Sequence, residues 1–182
     1  MRAAVAVAGT VLAAPAFAQD TTTEGLVIDL AGGEGGAPEG VLAMFLAAIM
    51  EPYAHAVASL ALWAILMLVV TIVAVATPVR DRTPSGHPVR DYADKGYRAA
   101  RAHRNAVEAA GPFVAATVAA ILAGASPVWV NWLASLFVVA RAATFAVHVW
   151  TENQMARSAT WAAGTLCVVG LALSGLFAAL AG

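Results

Sequence analysis

Asp94-Lys95-Gly96-Tyr97-Arg98-Ala99-Ala100-Arg101-Ala102-His103-Arg104-Asn105-Ala106-Val107-Glu108, running on into an apolar stretch that ends near Ala123, decides the fold of this chain. Arg98, Arg101, Asn105 and Glu108 stand at i, i+3, i+7 and i+10, so on a helix they form one polar stripe. The helix starts near Asp94 or Gly96 and continues into a segment apolar enough for hydrocarbon. A carboxylate and an amide carried to that depth are costly unless partnered, so the stripe marks a candidate functional site.

The rest of the chain has a membrane composition. Of 182 residues, 61% are hydrophobic and only 12% charged, outside the range of soluble domains. Cys167 is the only cysteine and falls inside the last apolar run, which excludes an intrachain disulfide and makes it a small packing residue. His55, His87, His103 and His148 are too widely spaced for a metal-ligand pattern, so no metal is expected. The bases sit where membrane topology puts them, which leaves no case for nucleic acid.

Residues 1–18 read as a signal peptide: Arg2, an apolar core from Ala3 to Ala14, a break at Pro15, and small residues at Ala16 and Ala18 for cleavage. Residues 19–40 carry Asp20, Glu24, Asp29, Glu34 and Glu39 with no base, and four glycines within 32–36; this is the composition of a disordered, solvated tail. Residues 41–182 form a four-helix membrane domain. Ala37-Pro38-Glu39 suits a helix start. Val41 to Met50 is too short to cross, and either lies at the interface or extends the next helix across a kink at Pro52. The longer runs are about 54–77, 106–123, 128–149 and 158–180, with a tight turn at Gly124-Ala125-Ser126-Pro127.

Orientation follows from the bases. Arg80, Arg82, Arg90, Lys95, Arg98, Arg101 and Arg104 precede or open the second span, and Arg157 lies between the third and fourth. The positive-inside rule puts these segments in the cytoplasm of a bacterium and both termini outside its inner membrane. An exported N-terminus requires the same arrangement. Arg80, Arg82, Arg90 and Lys95 read first as orientation signals. Arg141 is different, a guanidinium deep in an apolar span that needs an anionic partner. Glu108 is the natural candidate, giving a structural ion pair. His103 falls on another face of its helix.

The run Arg98 to Glu108, followed by Pro112-Phe113, resembles the signature of the membrane-associated proteins in eicosanoid and glutathione metabolism, the MAPEG family, and within it the prostaglandin E synthase branch most. The likeness continues through Arg141 and Arg157-Ser158, covering roughly Tyr53 to Leu180. It implies a four-helix bundle that assembles as a homotrimer, with glutathione held between neighbouring subunits on the cytoplasmic side. Carried over by position, Arg101, Arg104, Asn105 and Glu108 would hold the tripeptide, with Arg80 or a loop neighbour as a further anion contact. Arginine forks suit its carboxylates and Glu108 its ammonium.

By the same resemblance Arg157 would be the catalytic residue. A free thiol has a pKa of about 8.5 and a close cation lowers it; Ser158 and the N–H groups opening the fourth helix would add dipolar stabilisation. Two family tyrosines are replaced here, by His148 and by Trp161. His148 either replaces a tyrosine as a hydrogen-bond donor to the ligand or caps the span at the interface, where His148-Val149-Trp150 fits an aromatic belt; Trp161 keeps an aromatic face without the hydroxyl. The implied activity is a glutathione transferase or peroxidase working on a lipophilic electrophile or hydroperoxide. The alternative is a non-catalytic four-helix protein with a structural or complex-subunit role.

Overall fold

The computed structural model describes residues 37–181. The expected signal segment and most of the acidic stretch therefore lie outside the described residues. Five helices follow in order: α1 (Ala37–Met50), α2 (Ala54–Ala76), α3 (Lys95–Leu122), α4 (Pro127–Trp150) and α5 (Gln154–Ala181), with a 3-10 turn over Glu51–Tyr53 joining the first two. Four segments are long and apolar enough to cross a membrane: Leu46–Ala76, Lys95–Leu122, Pro127–Trp150 and Gln154–Ala181. Among the described residues there is no strand, only an isolated bridge between Arg82 and Pro88.

The open question at Pro52 resolves toward extension. Pro52 sits in the 3-10 turn, where its missing N–H breaks the α-helical ladder without ending the helical path. Turn chemistry closes the other end of the hairpin as expected. Gly124 takes φ +68°, its N–H donates to the Ile121 carbonyl, and Pro127 opens α4 at a position that has no use for an N–H.

Helix α3 packs against α2, α4 and α5, and its sequence explains how. Ala99, Ala102, Ala106, Ala109, Ala116 and Ala120 are buried at helical spacing, so its inner face is flat and neighbours approach closely. Gly175 of α5 uses that closeness: an added Cβ would lie 3.0 Å from the Ala120 backbone nitrogen. Lower in the bundle Trp63, Phe113 and Phe137 meet. The two phenylalanines stack at 3.9 Å, and the indole stands edge-on to both at 6.2 and 5.1 Å. Outward faces keep residues such as Leu68, Ile72, Leu166 and Phe177 exposed, which suits lipid or a neighbouring chain.

The start of α5 corrects the expected boundary. The helix begins at Gln154 rather than Ser158, because the Asn153 side chain accepts from the Ala156 N–H at 3.0 Å and caps it. The Arg157 N–H is already committed to the Asn153 carbonyl at 3.2 Å. Ser158 is thus a full turn inside the helix, and neither it nor Arg157 offers the free backbone N–H expected of a helix opening.

Candidate functional site

The polar stripe, the end of α4 and the start of α5 meet at one end of the bundle. Two fixtures hold that end together. Asp94 caps α3, accepting from the Gly96 N–H at 2.9 Å, and its second oxygen accepts from the Arg80 N–H at 3.0 Å. Those donors, the Arg80 N–H foremost, keep the Asp94 carboxyl below the usual carboxylate range. Gly96 is required for the same joint, since any Cβ there would fall on the Pro78 carbonyl oxygen.

Arg98 is the second fixture. It donates to the Tyr92 and Ala93 carbonyls at 2.6 and 3.1 Å and to the Val149 carbonyl at 3.4 Å, and it pairs with Glu152 at 3.5 Å. One side chain thereby ties the segment before α3 to the C-terminal end of α4. Its role is to hold two loops; it does not line the space between them.

That space is a cleft of about 690 Å³, within the size range of small-molecule sites. Helix α3 contributes Arg101 and Asn105, α4 contributes His148, and α5 contributes Arg157, Ser158 and Trp161. His148 is buried and its role is set by its neighbours. Nδ1 donates to the Thr144 carbonyl at 2.9 Å, which leaves Nε2 to accept from the Asn105 amide at 3.4 Å. Trp161 is 45% exposed and walls the cleft.

Arg157 is the most unusual group present. It is only 8% exposed, and its guanidinium carbon lies 4.2 Å from the centre of the Tyr92 ring. The ring is itself propped edge-on by Tyr97 at 5.1 Å. Stacking on an aromatic face leaves the in-plane N–H groups free to bind. Nη1 is buried and has no hydrogen-bond partner among the described residues.

A second, smaller hollow of about 190 Å³ lies between α3 and α5 beside the cleft, sharing Asn105 and Trp161 with it. Glu108 and Arg141 both border it, yet they do not pair. Glu108, 57% exposed, reaches back about two turns to Arg101 at 3.9 Å. Among the described residues Arg141 has no carboxylate within ion-pair distance; its guanidinium rests over Phe137 at 5.3 Å. The expected Arg141–Glu108 ion pair is therefore not formed, because Glu108 faces outward while Arg141 is sealed inside.

Of the other expected ligands, Arg104 is exposed on the outer face of α3, and Arg80 engages the site only through its backbone N–H to Asp94. Neither lines the cleft. Sequence reasoning missed five residues that do: Arg90, which reads as a topology signal, Tyr92 beneath Arg157, Glu152, Gln154 and Ala162. An aromatic two residues before a helix cap was the available signal for Tyr92, and it is a weak one.

A family model described as the MAPEG family matches residues 53–177, from the first turn before α2 to the last third of α5. The chain belongs to the MAPEG family. Neither the curated proteins nor the solved structures contain a match. MAPEG proteins include glutathione-dependent transferases and peroxidases and generally use glutathione as cosubstrate. The matched span contains every residue of this MAPEG chain that lines the cleft.

Proposed function

We propose that this protein is a glutathione-binding membrane enzyme, a transferase or peroxidase that brings the peptide thiol to a lipophilic electrophile or hydroperoxide. The observation that carries this reading is Arg157, a buried cation with an N–H unpartnered among the described residues, on the wall of a cleft large enough for a tripeptide. The donor set fits the ligand. Arg101 and Arg90 offer forks for two carboxylates; Glu152 lines the cleft and Glu108 borders the adjoining hollow, either one a partner for an ammonium group.

Glutathione would supply the sulfur nucleophile. Arg157, held against Tyr92, stabilises the thiolate over the thiol and so raises the nucleophilic fraction at neutral pH. Ser158, exposed beside it, offers a hydroxyl to the same sulfur. The Asn105–His148 pair fixes the wall against which the peptide backbone lies. In transfer, the sulfur forms the new C–S bond as the leaving group departs with its electron pair. In peroxide reduction, two thiols supply two electrons, giving a disulfide, an alcohol and water.

Arg104 and Glu108, exposed on one chain, acquire a place in this scheme if a second chain packs beside α3. We therefore include the homotrimer in the proposal, with each cleft completed by its neighbour. The arginine-rich end faces the cytoplasm and both termini lie outside the inner membrane. The likeness to prostaglandin E synthases rests on the α3 motif alone and does not extend to a prostaglandin substrate.

A glutathione titration of the purified protein in detergent tests the reading, with conjugation of a lipophilic electrophile and reduction of a lipid hydroperoxide as activity assays. Saturable binding with turnover is the expected result. Absence of binding removes the proposal, and binding without either turnover removes its catalytic half.

A further inference from the structure

Two buried side chains in the middle of the bundle converge with their donors unmet. Arg141 is 6% exposed and Trp63 only 3%. Nε and Nη1 of the first and Nε1 of the second have no hydrogen-bond partner among the described residues. Both rest on Phe137, whose ring centre lies 5.3 Å from the guanidinium carbon and 5.1 Å from the indole centre. Both also line one enclosed pocket of about 10 Å³ between α2, α3 and α4, together with Asn105 and Thr144. Leu66, Val70 and Phe145 make the rest of its wall apolar. Leaving N–H groups unmet at membrane depth is costly, and so is leaving a charge without a counter-ion. Among the described residues no carboxylate lies within ion-pair distance of Arg141.

We propose that this pocket binds a monatomic anion, chloride, held by Arg141 and Trp63. Size excludes larger guests, because the volume is close to what a single water needs; a carboxylate or a phosphate does not fit. Charge and donor chemistry then choose among guests of that size. Guanidinium and indole N–H groups can only donate, and the Thr144 hydroxyl proton is already spent on the Ala140 carbonyl at 2.8 Å. Water would meet some donors and leave the guanidinium charge unbalanced. A halide accepts from several donors at once and cancels that charge, the condition under which a buried ion pair is tolerated. Asn105 adds an amide with two N–H groups, whose nitrogen also reaches His148 at 3.4 Å. Asn105 borders the large cleft as well, which marks the route from the aqueous end. The pocket lies inside one chain, so it requires neither a neighbouring subunit nor glutathione.

Crystals of the full chain grown with bromide in place of chloride, and measured at the bromine absorption edge, test this directly. An anomalous peak in the pocket, within hydrogen-bond distance of Trp63 Nε1 and the Arg141 guanidinium, is the expected result. Density there without anomalous signal identifies water and overturns the proposal, as does the absence of any density. The parent protein suffices for this measurement, so no variant has to fold. In solution, chloride titrated into protein dialysed against gluconate in neutral maltoside micelles should raise the unfolding temperature saturably. Trp63→Phe keeps a ring and loses the N–H, and should raise the half-saturating chloride concentration about tenfold. An unchanged value in folded Trp63→Phe overturns the proposal. Arg157→Ala should leave the chloride response in place; a response lost there belongs to the cleft and overturns the proposal, whatever the fate of the glutathione reading.

Discussion

The two ends of the bundle solve the same problem with different chemistry. At the end where α4 begins, the polar contacts between helices are made by neutral groups, although Thr117 Oγ1 of α3 is buried without a partner among the described residues. The Tyr53 hydroxyl donates to the Ala125 carbonyl at 2.5 Å, and Asn131 accepts from the Ala56 N–H at 2.9 Å while donating to the Pro52 carbonyl at 2.8 Å. Ser59 and Ser135 meet at 3.3 Å. At the other end charged groups join the neutral ones, and two buried arginines keep N–H groups without partners among the described residues. A closed hydrogen-bond network holds helices together; an open one is held ready for something else. The difference between structure and function is here a difference in completed bonds.

Substitutions can break that contrast in order of size. Arg157→Ala should lower glutathione-dependent turnover by about a hundredfold or more, the scale of removing one charge-stabilising donor, while the thermal unfolding temperature in detergent stays put. A fall in stability with turnover retained would move Arg157 to the structural side. Asn131→Ala should do the reverse. Leaving the Ala56 N–H and Pro52 carbonyl unmet costs about 1–3 kcal/mol, read as earlier unfolding, with glutathione affinity unchanged. Glu108→Gln should weaken glutathione by about tenfold through loss of one charged contact. Its existing pair with Arg101 is exposed and contributes little.

The smallest effect is a pH dependence at the fixture outside the spans. The Asp94 carboxyl is held low by its backbone donors, so it favours the folded state above the ordinary carboxylate range, and that contribution is lost as pH falls through its folded value. Asp94→Asn should therefore be less stable than the parent at neutral pH, with the gap closing below about pH 4. A gap that persists into acid would assign the cap to geometry rather than charge.

Much of this architecture was legible because membrane helices announce themselves by length and apolarity. The Asp94 cap, the turn at Gly124 and the extents of α2, α3 and α4 all follow from local signals. What escaped did so for physical reasons. Thr151-Glu152-Asn153 and the first turn of α5 are polar, so the hydropathy signal begins only once the helix has left water; the cap at Asn153 was hidden in what read as loop. Tyr92 meets Arg157 across a large sequence separation, and no local pattern encodes that contact. Arg141 was expected to pair with Glu108, but which residues a buried guanidinium meets depends on helix rotation; among the described residues it meets no carboxylate, and Glu108 turns to Arg101 instead.

Asn105 and Trp161 stand between the two hollows and border both. A water-loving molecule on one side of that indole and an oily one on the other would be neighbours without ever sharing a solvent. Under the proposed function, such a partition would let two reactants of opposite solubility arrive by separate doors, one from the aqueous face and one from the bilayer, and meet at a wall one ring thick.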